Sequence, residues 1–248
     1  MTDDFRNVYQ DPQRAASYAK LEFPGTYYLA YRDLPELIAK YVRGRRAMDF
    51  GCGTGRSTRF LARLGFAAVG VDISEDMIRL AQASDPEGDY RLIGDGDFGP
   101  FTGESFDLIL SVFTFDNIPT RERKVSLFKS LGALLSPDGC LISVVSSPEI
   151  YVHEWASFTT RAFPANRTAQ SGDRVKIIMT DVDDRRPVED ILCTDASYGE
   201  IYGDAALVLL ETRQPLGHPE EPYAWVNETT VAPWTIYVLA AQGRAAQC

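Results

Sequence analysis

A glycine-rich segment, Asp49-Phe50-Gly51-Cys52-Gly53-Thr54-Gly55, lies between a predicted strand and a predicted helix. Closely spaced glycines let the backbone approach a ligand, and the first turn of the following helix offers free N–H groups. A tight strand-to-helix turn without a ligand is the alternative interpretation, because short glycine motifs also occur by chance. The segment departs from the dinucleotide motif G-x-G-x-x-G, since Arg56 stands where the third glycine would be.

Acidic residues follow at the ends of the next two predicted strands. Asp72 ends the strand after the glycine segment, where a carboxylate can accept hydrogen bonds from both hydroxyls of a ribose. Asp95 follows the next strand and is suited to bind an exocyclic amino group such as that of adenine. The alternatives are ordinary strand-end acids and, for Asp97, a turn residue, which we favour.

A nearly continuous apolar run at residues 106–113 has the composition of a central parallel strand. The residues after it, Thr114, Asp116 and Asn117, are therefore expected at the crevice formed by the carboxyl ends of the strands.

Short apolar strands alternate with amphipathic helices from residue 46 onward, which predicts an α/β fold with a mostly parallel sheet and helices on both faces. The predicted strands are 47–50, 67–71, 90–93, 106–113, 140–146, 175–180, 206–211 and 233–240, and the predicted helices are 12–21, 27–42, 56–64, 75–83, 120–135 and 195–202. We expect residues 1–46 to form an N-terminal helical lid and residues 47–248 to form one domain. Within that domain, residues 147–193 are an expected insertion on the acceptor side, after the fifth strand.

Composition excludes several classes of protein. The chain of 248 residues has 35 acidic and 25 basic residues, a net charge of −10, and so lacks the basic excess of proteins that coat nucleic acids or anionic membranes. Two histidines and four widely spaced cysteines predict neither a metal site nor a disulfide framework. The first residues do not have the pattern of a signal peptide, so we expect a cytoplasmic protein.

Four ordered motifs resemble those of class I S-adenosylmethionine-dependent methyltransferases. They are residues 49–55, Val69-Gly70-Val71-Asp72, Gly94-Asp95 and Ser105-Phe106-Asp107-Leu108-Ile109-Leu110-Ser111. The resemblance covers roughly residues 40–146, and the final two strands look like the closing antiparallel hairpin of that family. It implies a Rossmann-like seven-stranded sheet ordered 3-2-1-4-5-7-6 with only the seventh strand antiparallel, and S-adenosylmethionine as cofactor, with S-adenosylhomocysteine as product.

The resemblance also assigns roles to individual residues. Asp49 organises the glycine loop and the methionine amino group, Asp72 takes the ribose hydroxyls, Ile73 and Met77 flank the adenine, and Asp95 meets its amino group. Tyrosines of the N-terminal segment are expected to fold over the cofactor. The complete cofactor-binding set is Tyr18, Tyr27, Asp49, Gly51, Cys52, Gly53, Gly55, Asp72, Ile73, Met77, Asp95, Gly96, Ser111 and Phe113.

The reaction that the resemblance implies is transfer of a methyl group to a small-molecule acceptor by in-line displacement, which depends mainly on positioning and on exclusion of water. If the acceptor needs a base, Asp116 is the first candidate and His153 the second, with Glu154 also available. Many family members have a histidine-containing pair where this chain has Asp116-Asn117, so no histidine is assigned there.

Other functions stay open at this point. A non-catalytic protein that binds S-adenosylmethionine or S-adenosylhomocysteine would carry the same motifs, and a methyltransferase acting on protein or RNA is a further alternative. Arg56 weakens the case for a dinucleotide-dependent oxidoreductase. We expect a small-molecule acceptor as partner, no nucleic acid, no membrane, and a monomer or homodimer.

Overall fold

The computed structural model describes residues 24–243, which form six α-helices and ten β-strands. The strands are β1 (Arg46–Phe50), β2 (Ala67–Asp72), β3 (Asp89–Leu92), β4 (Phe106–Val112), β5 (Leu135–Ser146), β6 (Phe158–Thr159), β7 (Arg174–Met179), β8 (Val188–Ile191), β9 (Leu207–Arg213) and β10 (Trp234–Ala241). The helices are α1 (Thr26–Arg32), α2 (Leu34–Tyr41), α3 (Arg56–Arg63), α4 (Glu75–Ser84), α5 (Arg121–Ala133) and α6 (Asp195–Asp204).

Seven strands form the main sheet in the order β3-β2-β1-β4-β5-β10-β9. The pairs among β1 to β5 are parallel, whereas β10 runs antiparallel to both β5 and β9. Numbered within this sheet, the order is 3-2-1-4-5-7-6 with the seventh strand reversed. The predicted fold class is therefore confirmed.

Helices cover both faces of this sheet because its central strands are apolar on both sides. On β4, Leu108 and Leu110 join a buried cluster with Leu37 of α2. Ile109, which points to the opposite face, joins a second cluster with Phe128 of α5. The two clusters are the two halves of the core, one on each side of the sheet.

A second, three-stranded antiparallel sheet, β6-β7-β8, is formed between β5 and α6. The sequence predicted only its middle strand. Val175 and Ile177 of β7 are buried in the same cluster as α1 and α2, and β8 packs beside the short 3₁₀ turn Thr114–Asn117 that follows β4. This small sheet therefore lies against the carboxyl edge of the main sheet.

The helix predicted at 27–42 is in fact two helices, α1 and α2, separated at Asp33. Pro35 lies in the first turn of α2, where its missing N–H costs nothing, whereas inside a continuous helix it would remove a hydrogen bond. The helix predicted at 12–21 and Tyr18 lie outside the described residues. None of the helices between residues 24 and 243 combines the length and apolar composition needed to cross a bilayer.

Candidate active site

A cavity of about 350 Å³, called here the larger cavity, lies at the carboxyl ends of β1, β2 and β4. It is lined by Phe50, Gly51, Gly53, Val71, Asp72, Ile73, Met77, Ile93, Asp95, Gly96, Val112, Phe113, Thr114, Asn117, Ile118, Pro119, Thr120, Arg123 and Leu127. Its position, at the strand ends of a doubly wound sheet, is where such folds bind ligands.

The glycine loop is held in place by the neighbouring strands. The N–H groups of Gly51 and Cys52 donate to the carbonyl oxygen of Val71 at 2.9 and 3.0 Å, and the hydroxyl of Thr114 donates to the carbonyl of Phe50 at 3.0 Å. Gly51 has a φ of +74°, and a Cβ there would lie 2.1 Å from Oγ1 of Thr114. At Gly53, by contrast, a Cβ would meet no protein atom within 4 Å, so the backbone at this position is open to the larger cavity.

Asp49 is fully buried beneath the loop and does not line the larger cavity. Its Oδ2 accepts hydrogen bonds from Ser57 and Thr58 of α3, both at 2.6 Å. Its Oδ1 has no hydrogen-bond partner among the described residues. Burial raises the pKa of Asp49 to about 6 in spite of the two hydroxyl donors. The carboxyl group therefore joins the end of β1 to the start of α3, and its second oxygen is available to accept a further hydrogen bond.

Asp72 presents its carboxylate to the larger cavity. Oδ2 accepts a hydrogen bond from the Gly53 N–H at 2.8 Å, and Oδ1 accepts one from the Ser74 N–H at 2.9 Å. Burial raises its pKa, and these backbone donors oppose that rise. Because a carboxylate can accept about four hydrogen bonds, each oxygen of Asp72 still has capacity for a ligand hydroxyl.

The far end of the larger cavity combines an apolar wall with one ion pair. Ile73 and Met77, both predicted from the sequence, line this wall together with Ile93. Asp95 and Gly96 also line the cavity, and the Asp95 carboxylate lies 2.5 Å from the Arg123 guanidinium. Asp95 therefore already has a charged partner, which its sequence-based role did not include, since Arg123 comes from a helix beyond the next strand.

Five predicted cofactor residues do not line the larger cavity: Tyr27, Asp49, Cys52, Gly55 and Ser111. Cys52 packs with Ile78, Ala81 and Tyr90, and a Cβ at Gly55 would lie 2.6 Å from the ring of Tyr90. Both residues thus face α4 and β3 instead of the cavity. Ser111 is buried inside the sheet, where its hydroxyl has no partner among the described residues.

A second cavity of about 40 Å³, called here the smaller cavity, shares Phe113 and Asn117 with the larger one. Its lining residues are Tyr27, Phe113, Asp116, Asn117, Ser146, Ile150, Tyr151, Phe158, Ile177, Met179, Val188, Asp190 and Trp234. No role of Tyr151, Asp190 or Trp234 was apparent from the sequence. Tyr27 therefore belongs to this cavity and not to the larger one.

Asp116 faces the smaller cavity and is almost completely buried. Both of its carboxylate oxygens lie within hydrogen-bond distance of the Ser146 N–H, at 3.2 and 3.0 Å. Burial raises its pKa to about 6, although the nearby Lys124 charge acts in the opposite direction. Such a carboxyl group can exchange a proton near neutral pH.

The other two candidate bases lie outside both cavities. His153 is half-exposed and pairs with Glu149 at 3.0 Å. Glu154 accepts hydrogen bonds from Thr159 and Thr160, and although burial alone would raise its pKa, these donors lower it. The structure therefore places the His153 ring at the surface beside Glu149 and at neither cavity.

The chain is similar in sequence to known methyltransferases. Residues 48–143 match the family model described as methyltransferase domain. An uncharacterized methyltransferase of Bacillus licheniformis is 33% identical over 120 residues, which is 47% of this chain and 55% of that protein. A demethylmenaquinone methyltransferase of Tropheryma whipplei is 42% identical over 78 residues, 30% of this chain and 32% of that protein. The chain thus spans about half or less of the curated relatives it matches.

Among solved structures, an S-adenosylmethionine-dependent methyltransferase of Clostridium acetobutylicum superposes with a TM-score of 0.63 at 13% identity, covering 95% of this chain and 97% of that one. Residues 48–143 thus match a methyltransferase domain, and the described chain shares the fold of that S-adenosylmethionine-dependent methyltransferase, as the resemblance implied. S-adenosylmethionine is the cofactor that this domain and fold imply, with S-adenosylhomocysteine as product. No group of three histidine, cysteine, aspartate or glutamate residues suited to a metal ion occurs within residues 24–243.

Proposed function

We propose that this protein transfers the methyl group of S-adenosylmethionine to a small-molecule acceptor. The observation that carries the proposal is that the two cavities share two lining residues, Phe113 and Asn117. A donor in the larger cavity and an acceptor in the smaller one would meet at these two residues. Methyl transfer requires this kind of contact, because the attacking atom must approach the methyl group in line with the bond that breaks.

The larger cavity fits the donor in size and in chemistry. Its volume of about 350 Å³ lies within the range of cofactor pockets. Asp72 has acceptor capacity on both oxygens for the ribose hydroxyls, and Ile73 and Met77 offer an apolar wall for the adenine. The open face of Gly53 allows the ligand to approach the backbone. When bound, the donor supplies a methyl group that is already activated by a positively charged sulfur.

The chain's own contribution is then to orient the acceptor and to exclude water. Aromatic side chains close the smaller cavity on the side of α1 and the small sheet. The Tyr27 and Phe158 rings are 4.9 Å apart, and the Phe113 and Trp234 rings are 4.5 Å apart. We therefore propose that residues 147–193 and α1 form the acceptor side of the site. The N-terminal helices would cover the bound cofactor.

A small acceptor group is favoured over a macromolecular one by the dimensions of the smaller cavity, about 40 Å³. That space accommodates a compact head group bearing one nucleophilic atom. A methyltransferase acting on a protein remains the second candidate, since a single side chain could also enter. This candidate is tested by incubating the chain with methyl-labelled S-adenosylmethionine and a protein fraction as acceptor.

The decisive experiment has two stages. In the first, calorimetry measures binding of S-adenosylmethionine, S-adenosylhomocysteine and NAD to the full chain and to Asp72→Ala. We expect the first two to bind the wild type and NAD not to bind, with at least a tenfold loss of affinity in Asp72→Ala, which removes an anionic acceptor. Asp89→Ala, which removes an exposed carboxylate on the neighbouring strand, serves as the matched control and should bind normally.

In the second stage, the chain is incubated with methyl-labelled S-adenosylmethionine and a pool of small metabolites, and products are found by mass spectrometry. A labelled small molecule together with S-adenosylhomocysteine supports the proposal. Tight donor binding with no labelled product in any pool would instead identify a non-catalytic binding protein.

A further inference from the structure

Two buried carboxylates face the same small space. Asp116, in the 3₁₀ turn after β4, and Asp190, on β8, both line the smaller cavity and are at most 7% exposed. Asp116 accepts its hydrogen bond from the Ser146 backbone, and Asp190 accepts one from the Tyr151 hydroxyl at 3.1 Å. The two residues come from separate elements, and the fold brings both carboxylates to one cavity.

Aromatic rings also line the smaller cavity. Tyr27 lies 6.0 Å from Phe113 and 6.0 Å from Trp234, measured between ring centroids, and Phe158 lies 5.8 Å from Trp234. Aromatic faces attract cations through their quadrupole, most strongly when water is excluded. Two carboxylates and several aromatic rings in one small cavity therefore make a pocket whose chemistry suits a positively charged nitrogen.

The charges of Asp116, Asp190 and Lys124 favour one further positive charge in the smaller cavity. Lys124 is buried nearby, donates to the carbonyl oxygen of Phe115, and interacts electrostatically with both carboxylates. Two ionised carboxylates and one ammonium leave a negative charge inside the protein, which is costly without compensation. A proton can supply that compensation in the free protein, and burial together with the Asp116 charge accordingly raises the pKa of Asp190 to about 8. A cationic ligand would take the place of that proton.

We propose that the acceptor is an amine, which binds as an ammonium ion between Asp116, Asp190 and the aromatic wall of the smaller cavity. This inference rests on the proposed methyl transfer and names its acceptor class. The ammonium gives one proton to a carboxylate of the pair, which frees the nitrogen lone pair. That lone pair forms the new N–C bond while the C–S bond breaks and its electrons remain on sulfur. Sulfur becomes a neutral thioether, and the methylated nitrogen carries the positive charge.

The test measures cation binding directly and without the methyl donor. Calorimetry at pH 8.5 compares n-butylammonium, which is charged at this pH, with n-butanol, which has nearly the same shape and no charge. We expect n-butylammonium to bind the wild type and n-butanol to bind much more weakly. In Asp190→Asn the n-butylammonium affinity should fall about tenfold to a hundredfold, the value of one charge-assisted hydrogen bond.

Glu189→Gln is the matched control, because it removes the same charge from the adjacent residue of β8. Glu189 pairs instead with Arg174 and Lys176 and does not line the smaller cavity. Equal affinities for n-butylammonium and n-butanol, or an unchanged n-butylammonium affinity in Asp190→Asn, would overturn the inference.

S-adenosylhomocysteine binding separates this inference from the proposed function. Asp190→Asn should bind S-adenosylhomocysteine as the wild type does, which also shows that the variant is folded, because Asp190 lies outside the larger cavity. Normal S-adenosylhomocysteine binding without selective ammonium binding rejects only the amine. Ammonium binding in a wild type that does not bind S-adenosylhomocysteine rejects the proposed methyl transfer.

Discussion

The carboxylate of Glu228 accepts a hydrogen bond from the hydroxyl of Thr26 at 2.6 Å, across 202 residues of sequence. Glu228 is completely buried, and it also accepts hydrogen bonds from the N–H groups of Ala156, Val226 and Asn227 at 2.7, 2.8 and 3.1 Å. One side chain thus joins the start of α1, the small-sheet region and the loop before β10. Since Tyr27 follows Thr26, this contact also positions a wall of the smaller cavity.

Loss of this carboxylate should destabilise the protein. Glu228→Ala leaves buried donors without an acceptor, and each unsatisfied donor costs about 1–3 kcal/mol. We expect urea unfolding to show a loss of about 3 kcal/mol or more, with a smaller loss in Glu228→Gln, which keeps one acceptor oxygen. Glu220→Ala, which removes an exposed carboxylate of the same loop, should change the free energy of unfolding by less than about 0.5 kcal/mol. Similar unfolding curves for Glu228→Ala and Glu220→Ala would show that the contact contributes little.

Two glycines of the same loop should respond differently to alanine. In Gly51→Ala the new Cβ meets Thr114 at 2.1 Å and the φ is +74°, so we expect a loss of stability of about 1–3 kcal/mol. In Gly53→Ala no protein atom lies within 4 Å of the Cβ, so the fold should lose only about 1 kcal/mol from the positive φ. Its S-adenosylhomocysteine affinity should nevertheless fall at least tenfold, because the methyl group enters the larger cavity. Thermal unfolding and calorimetry on both variants test this contrast, which fails if Gly53→Ala binds S-adenosylhomocysteine normally.

The buried pair should make stability depend on pH. The folded protein holds a proton on Asp190 up to a pKa of about 8, whereas the unfolded chain releases it near pH 4. The unfolded state therefore binds fewer protons between these values, and the contribution of this group to stability is lost as pH rises from about 4 through 8. In Asp190→Asn the side chain cannot ionise, so the variant does not lose this contribution to stability.

We accordingly expect Asp190→Asn to gain stability relative to wild type as pH increases, by about 1 kcal/mol or more between pH 5 and pH 8.5. Thermal unfolding at several pH values measures this difference. Besides Asp116, the groups that interact electrostatically with Asp190 are Tyr151, Lys124 and the adjacent Glu189, and Glu189→Gln provides the comparison. A wild-type-to-variant difference that does not change with pH would contradict the raised pKa.

Asp116 and His153, the first two candidate bases, should differ in their effect on activity. Asp116→Asn should lower methyl transfer at least tenfold while keeping the donor affinity, because Asp116 faces only the smaller cavity. His153→Ala should leave both quantities within about twofold of wild type, since its ring is paired with Glu149 at the surface. Rates measured with the acceptor found by mass spectrometry, together with S-adenosylhomocysteine calorimetry, test both expectations. A large loss of rate in His153→Ala would restore the histidine as a candidate.

The main sheet could be predicted because neighbouring residues in the sequence indicate each of its strands. Strands β1, β2, β4 and β5 each contain a largely apolar run, and Ser74 and Thr194 act as the N-caps of α4 and α6. The residues of the larger cavity follow the strand ends directly, so Gly51, Asp72 and Ile73 could be located from the sequence.

The smaller cavity could not be predicted in the same way, because its residues come from distant parts of the chain. Asp190 lies on β8, a strand of four residues whose pairing with β7 gives no local signal. Arg123 reaches Asp95 only through the packing of α5 beside the end of β3. Tyr27 was associated with the cofactor from its sequence position, whereas the packing of α1 brings it to Phe158 and Trp234.

The hydrogen bonds of Thr26 also determine when during synthesis helix α1 can pack in place. Its N–H donates to the Ser157 hydroxyl at 3.0 Å, and its carbonyl accepts from the Trp234 indole at 2.8 Å. Strands β1 to β5 can pair as they leave the ribosome, since the chain emerges from its N-terminus. Helix α1 emerges earlier still but must wait for residues 228 and 234 to find its partners. The glycine loop can therefore form on a nascent chain, whereas the smaller cavity can close only after residue 234 has been synthesised.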